Sequence, residues 1–228
     1  RFTQARNGSS PYHKTGISAL DRQTDGIGYG EMVVVGARPS VGKSALAVSL
    51  AATMCVRGGT PFHLVSTEMT ESAFYRRLVA YLTGIDSRVF KRMDAYTDRD
   101  HAKVAKANEL INKAPFYFVD ATDGITDSQI RAYAQAAANR SSKQAVLCVD
   151  YLQNVRASNK HEKRTYEVGG VSQTLQGLTR RLPFSAVVLA QLNRGPDSDS
   201  RLPRVSDLRD SGQIEQDADQ IWLLHRDK

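Results

Sequence analysis

The segment Met32-Val33-Val34-Val35-Gly36-Ala37-Arg38-Pro39-Ser40-Val41-Gly42-Lys43-Ser44-Ala45 decides the architecture. A short apolar strand, a turn, and Gly-Lys-Ser opening an apolar helical run form the strand–loop–helix order of a phosphate-binding loop. Counting back from Gly42-Lys43-Ser44, the first loop position falls on Ala37, so the match is A-x-x-x-x-G-K-S and not the all-glycine form. The chemistry accounts for the pattern. A turn at a helix N-terminus aims successive backbone N–H groups at phosphate oxygens, and the helix dipole favours the anion. Gly42 lets the backbone approach closely, Lys43 reaches the β- and γ-phosphates, and the Ser44 hydroxyl binds Mg²⁺. Ala37, Arg38, Pro39, Ser40, Val41, Gly42, Lys43, Ser44 and Ala45 are the candidate nucleotide-binding residues, and a nucleoside triphosphate is the expected ligand.

Outward from this segment, short β-branched runs alternate with helical patterns. Strands are expected at Glu31–Gly36, Phe62–Ser66, Phe116–Val119, Ala145–Asp150, Ala186–Gln191 and Gln220–His225. Most are continuous apolar runs, as strands covered on both faces require. Helices are expected near Lys43–Arg57, Thr70–Thr83, Arg99–Lys113, Asp127–Arg140 and Arg164–Leu182. Thr126 and Gln129 form a capping box for the fourth. In the last, Val168, Val171, Leu175, Leu178 and Leu182 make one apolar stripe, while Gly169-Gly170 weakens its first turns. The fold class that follows is α/β, with a mainly parallel central sheet and helices on both faces. The first thirty residues, punctuated by Gly8, Pro11, Gly16, Gly26, Gly28 and Gly30, read as tail and turns. Residues 1–14 are expected to be a linker and 15–228 a single domain.

The composition is that of a globular chain: 228 residues, 41% hydrophobic and 24% charged. Those values exclude collagen, disorder and a disulfide scaffold. No apolar run is long enough to span a bilayer, and Arg1–Arg6 carries no signal-peptide core. The chain lacks an initiator Met, which suggests a fragment. Cys55 and Cys148 lie in apolar stretches and read as buried small hydrophobes, and no Cys/His spacing resembles a zinc site. Lys and Arg number 31 against 24 Asp and Glu, a net +7 that suits a polyanion partner without identifying it.

Hydrolysis of a triphosphate needs a carboxylate on the metal side and a group that activates water. The strand Ala145–Val149 ends in Asp150, the Walker B position and the candidate metal-side acid beside Ser44. Glu68 follows the strand Phe62–Ser66 at the same sheet edge, where open α/β sheets bind ligands. It is the candidate general base. Its plain alternative is an acid in the first turn of the next helix, favoured by the dipole. Gln191 closes the strand that precedes it and is a candidate γ-phosphate sensor. His63, His101 and His225 show no ligand spacing and read as structural or solvated. Arg156, Lys160, His161, Lys163 and Arg164 form a basic stretch whose default is a solvated loop and whose alternative is nucleic-acid contact.

Together Gly36–Ser44 (GARPSVGKS), Ser66-Thr67-Glu68-Met69, Asp150-Tyr151-Leu152-Gln153, Gln191-Leu192-Asn193-Arg194 and Ser206–Asp219 (SDLRDSGQIEQDAD) resemble the motor domain of replicative DnaB-type hexameric helicases. Thr15-Gly16-Ile17-Ser18-Ala19-Leu20-Asp21 is similar to that family's entry into its core. The resemblance implies a RecA-like fold and ATP hydrolysis at the subunit interfaces of a homo-hexamer. Lys43 and Ser44 would hold phosphate and Mg²⁺, Glu68 would be the base, Asp150 the Walker B acid and Gln191 the sensor. It further implies single-stranded DNA backbone contact at Arg209, Asp210 and Gly212, although family members usually carry Glu at the position of Asp210. Primase and a helicase loader are implied partners, in a cytoplasmic, replisomal setting with no membrane. The family's trans Lys/Arg finger and its primase-binding helical domain are expected to lie outside this chain, leaving a core of weak activity.

Two other readings compete. A recombinase-like or clock-type RecA-fold ATPase would share the phosphate loop but not the long SDLRDSGQIEQDAD segment. A ring or loader module that binds ATP without unwinding would keep the loop and lack useful turnover.

Overall fold

The computed structural model describes residues 11–91, 97–158, 164–193, 201–208 and 211–226. Strand β1 (Tyr12–His13) pairs antiparallel with β2 (Ile27–Gly28), with helix α1 (Ser18–Thr24) between them. Then follow β3 (Met32–Ala37), α2 (Lys43–Leu50), β4 (Phe62–Ser66), α3 (Glu71–Thr83), α4 (Asp98–Lys113) and β5 (Phe116–Asp120). The chain continues through α5 (Asp127–Arg140), β6 (Ala145–Asp150), α6 (Arg164–Arg181), β7 (Phe184–Gln191), α7 (Ser211–Asp217) and β8 (Gln220–Leu224).

Six strands form one sheet in the order β5-β4-β6-β7-β3-β8, with every pairing parallel. The unbroken apolar runs have a direct cause. In β3, Met32 and Val34 pack with Ile130 and Ala134 of α5 and Val171 and Leu175 of α6. Val33 and Val35 face the other way, toward Ala47 and Leu50 of α2 and Phe74 and Leu78 of α3. Each face of the sheet therefore has its own core, and alternate residues of one strand serve both.

All six expected strands and five expected helices are present, with ends shifted by a few residues. Thr126 and Gln129 make the expected capping box on α5, and Thr97 with Asp100 makes a second one on α4. Two expectations are corrected, the helical run from Lys43 and the entry segment. The run expected as one helix from Lys43 is α-helical only to Leu50 and is π-helical over Ala51–Arg57. Helix α6 passes through Gly169-Gly170 from Arg164 onward. A Cβ on Gly169 would lie 3.1 Å from Cβ of Gln213, so the glycine admits a close approach of α7.

The entry segment is not a tail. Asp21 on α1 accepts hydrogen bonds from Thr15 N (2.8 Å), Thr15 Oγ1 (2.7 Å) and Gly16 N (3.0 Å), while Thr53 Oγ1 donates to Thr15 O (2.5 Å). Gly16 has φ +78°, and its missing Cβ would collide with Thr53 at 2.6 Å. Two-residue strands and a seven-residue helix are too short to leave a periodic trace, so contacts distant in sequence hold them.

Cys55 and Cys148 are free and buried, as expected of apolar-run cysteines. Burial pushes the Cys55 thiol up to about 12 and Cys148 well above its usual range. His63 is buried, its ring stacked on Tyr117 (4.5 Å) and its Nδ1 2.8 Å from the Tyr133 hydroxyl. His101 and His225 are exposed. No helix among the described residues is long and apolar enough to cross a membrane.

Candidate active site

The C-terminal ends of β3, β4, β6 and β7 lie side by side, and the loops leaving them enclose a cleft of about 510 Å³. That is within the range of small-molecule sites. Its lining is Arg38, Pro39, Ser40, Gly42, Lys43, Ser44, Ala45, Glu68, Met69, Arg77, Tyr151 and Gln191.

The loop after β3 has the backbone its composition calls for. Gly42, the N-cap of α2, sits at φ 131°, ψ 20°, where a side chain is strained, and Ser40 adopts φ 63°. Leu46 N donates to Gly42 O at 2.9 Å, so the helix begins at once with Lys43. Lys43 is only 9% exposed, and its Nζ lies 4.8 Å from the Tyr151 ring centroid. Burial pulls the ammonium below its ordinary pKa; Asp150 and then Glu68 draw it back up, and Arg38 opposes them. Gly36, just before the loop, has a packing role. A Cβ there would meet Leu192, Leu208 and Leu223 at 2.9–3.0 Å.

Asp150 ends β6 and is 1% exposed. Burial raises its pKa, Ser44 lowers it by a side-chain hydrogen bond, Glu68 raises it, and Lys43 and Arg77 lower it. Its Oδ1 has no hydrogen-bond partner among the described residues. A buried carboxylate oxygen left bare, with a serine hydroxyl on the same group, suits a hard divalent cation that takes oxygen ligands and keeps its waters. Ser44 and Asp150 are thus the residues that could hold Mg²⁺.

Glu68 is exposed at the cleft wall. It is not part of α3, whose N-cap is Thr70 and whose first-turn acid is Glu71. The helix-dipole explanation for an acid at position 68 is therefore removed. Both neighbours of Glu68 are anchored. Thr67 bonds to the Asp150 carbonyl, and Met69 N donates to Ser66 Oγ at 3.0 Å while Ser66 Oγ donates to Met69 O at 2.7 Å.

Gln191 pairs with Ala37 in the β3–β7 register and also lines the cleft. Its backbone is held by a residue that sequence reasoning assigned no role. Gln153 Oε1 accepts from Gln191 N at 3.1 Å, and Gln153 Nε2 donates to Gln191 O at 3.5 Å. One residue on, Leu192 O accepts from Arg38 Nη1 at 2.9 Å. Leu192 also bridges to Leu208, and Asn193 N donates to Asp207 O at 2.8 Å. Asp207 is in turn gripped by both Arg201 guanidinium nitrogens at 2.7 Å. The end of β7 is thus joined directly to the segment leading into residues 209–212.

Arg209 and Asp210 lie outside the described residues. Gly212 is exposed near the start of α7. Of the second basic stretch, Lys160, His161 and Lys163 also lie outside. Arg156 is tied to the start of α5 through its backbone, with its N–H donating to Ile125 O at 2.9 Å. Arg164 pairs with Glu167 at 2.6 Å and donates to Gln153 O. Sequence reasoning also missed Arg77 and Tyr151 as cleft residues. Tyr151 adjoins Asp150, which was a usable signal, but Arg77 carried none.

A family model described as the DnaB-like helicase C-terminal domain matches residues 13–228. A replicative DNA helicase DnaB of Leifsonia xyli subsp. xyli is 36% identical over 223 residues, covering 97% of this chain and 48% of the relative. The same-named protein of Pasteurella multocida is 31% identical over 227 residues, covering 99% and 48%. The chain therefore spans about half the length of these relatives. Among solved structures, a DnaB-like replicative helicase described with its primase interactions superposes with TM-score 0.90 at 29% identity, covering 98% of this chain and 54% of that one. A second solved structure, described as an ATPase domain, gives 0.89 at 28% identity, covering 99% and 81%. With the parallel sheet, these likenesses establish the RecA-like fold.

Proposed function

The chain belongs to the DnaB-like helicase C-terminal domain family, and from that premise we propose that it is the ATP-driven motor of a replicative DNA helicase. The observation that carries this is the cleft itself, where Lys43, Ser44, Glu68 and Gln191 converge from the ends of three strands beside Asp150.

In this proposal the loop amides and Lys43 hold the phosphates of ATP, with Ala37 to Ala45 as the binding segment. Ser44 and Asp150 hold Mg²⁺, which when bound neutralises charge on the β- and γ-phosphates. Glu68 takes a proton from the attacking water. Its exposure keeps it in reach of solvent, while its anchored neighbours fix its place. Gln191 senses the terminal phosphate. Its movement on phosphate loss would pass along the Leu192–Leu208 bridge to residues 209–212. Arg209, Asp210 and Gly212 contact the backbone of single-stranded DNA, which carries no sequence information. The motor works as a homo-hexamer in the cytoplasm, with a neighbour completing each site, and primase and a loader are partners of the longer protein.

The test is ATP turnover as a function of protein concentration, with and without single-stranded DNA, against Lys43→Ala. DNA-stimulated turnover that rises steeply with concentration and vanishes in the variant supports the proposal. ATP binding without any DNA-responsive turnover would favour a ring or loader module instead.

A further inference from the structure

In a parallel strand the main-chain groups of successive residues point to opposite neighbours. Leu192 N donates to Ala37 O at 3.1 Å, so the N–H and C=O of Gln191, one residue earlier, face away from β3. On the side they face, β6 has already stopped: the β6–β7 register closes with Asp150 opposite Leu189. A strand end in this position lacks a ladder partner for two backbone groups. The side chain of Gln153 fills the gap. Its Oε1 accepts from Gln191 N at 3.1 Å and its Nε2 donates to Gln191 O at 3.5 Å, so one primary amide stands in for a peptide unit of the missing strand. The amide is held from below. It stands on a single 3-10 turn, Leu152–Asn154, in which Leu152 and the following Val155 are buried. Asn154 N bonds to Tyr151 O and Val155 N to Leu152 O, each at 3.1 Å, and Gln153 O accepts from Arg164 at the start of α6. Glutamine is the residue this place needs. Glu would set a carboxylate oxygen against Gln191 O, and Asn is one methylene shorter.

We infer that Gln153 is the positioning residue of the phosphate sensor: its amide fixes the end of β7 so that Gln191 lines the cleft. This rests on the ATP reading above, in which Gln191 meets the terminal phosphate. Gln153 is not among the residues that line the cleft, so it acts through Gln191 and not on the nucleotide. The consequence is specific. Binding of a diphosphate depends on the loop amides and Lys43, which Gln153 leaves alone. Discrimination of triphosphate from diphosphate depends on where Gln191 sits, and that is what the Gln153 amide sets.

The experiment compares the 228-residue chain with Gln153→Met, Gln153→Glu, Asn154→Ala, Gln191→Ala and the double variant Gln153→Met/Gln191→Ala. Fluorescent ADP and a fluorescent non-hydrolysable ATP analogue are titrated, and the ratio of the two affinities is read. Gln153→Met keeps the length and removes the amide. It should leave ADP affinity within about twofold and lower the preference for the triphosphate about three- to tenfold, the effect of one or two hydrogen bonds. Gln153→Glu should fall between, since it keeps an acceptor for Gln191 N. Asn154→Ala, an exposed neighbour on the same turn, should match the wild type. Gln191→Ala should lose the preference, and adding Gln153→Met should change the ratio no further, because no sensor side chain is left to place. A further loss in the double variant, equal losses for both nucleotides, or a wild-type ratio in Gln153→Met would overturn the inference. Should Gln153→Met fail to fold by circular dichroism, Gln153→Glu decides, and an unchanged ratio there overturns it. A wild-type ratio in Gln191→Ala would overturn the sensor role and the inference with it. A wild-type chain that binds no nucleotide, or binds it as well after Lys43→Ala, would instead overturn the ATP reading on which both stand.

Discussion

Thr67 donates twice to the carbonyl oxygen of Asp150, from its amide at 2.7 Å and from its hydroxyl at 3.0 Å, and that hydroxyl accepts from Tyr151 N at 3.2 Å. The end of β4, which carries Glu68, is thereby fastened to the end of β6, which carries Asp150. This clasp extends the β4–β6 pairing, which already sets Ser66 opposite Asp150, toward the residues that carry the two carboxylates.

Thr67→Val keeps the shape and the amide bond but removes the hydroxyl. Thr67 is 8% exposed, so Tyr151 N–H is left without that acceptor. The expected cost is about 1–3 kcal/mol in urea unfolding. Because Glu68 is displaced from Asp150, kcat should fall more than nucleotide affinity. Full turnover in a destabilised variant would show that the clasp does not position Glu68.

Glu68→Gln preserves size and leaves the cleft walls intact. Nucleotide binding should stay within about twofold, and ATP turnover should drop by about 10² or more, the range of a positioned base. Turnover that survives the change would place the base elsewhere.

Acid should loosen the fold through two histidines. Burial lowers His13 to about 4. Burial, helped by Arg140, lowers His63 to about 4 as well. Both are kept neutral in the folded state, whereas the unfolded chain protonates them near 6.5. Their contribution is complete above about pH 6.5 and is lost as pH falls toward 4, up to about 3 kcal/mol each. Urea midpoints should therefore drop between pH 7 and pH 5, and His13→Gln should flatten part of that slope. An unchanged slope in that variant would exclude His13 as a source.

Arg209→Ala should weaken single-stranded DNA binding alike for all sequences and reduce the salt slope by about one unit. Fluorescence anisotropy with several homopolymers over a range of salt concentrations tests this. A loss confined to one base composition would mean a base contact.

The phosphate loop was legible because its chemistry is local: Gly42, Lys43 and Ser44 must be adjacent for a helix N-terminus to grip a phosphate. The strands were legible for a related reason, since a parallel strand covered on both faces has to be apolar throughout, as Val33, Val34 and Val35 are. Glu68 was only half legible. Spacing left open whether it began a helix, and the N-cap at Thr70 decided that it does not. The entry ribbon, Gln153 and Arg77 were not legible, because each acts on residues remote in sequence: Asp21 and Thr53 on the entry segment, Gln153 on Gln191, Arg77 across the cleft toward Asp150.

The sequence by itself thus determined the six strands of the main sheet, five of the helices and which loop has the phosphate-binding pattern, since periodicity and turn chemistry act over a few neighbouring residues. Only the tertiary structure decided that β4 lies next to β6, that Thr67 clasps Asp150, and that Arg77 and not Arg76 faces the cleft. Strand order and helix rotation are settled by how two cores pack against one sheet, and no stretch of adjacent residues records that.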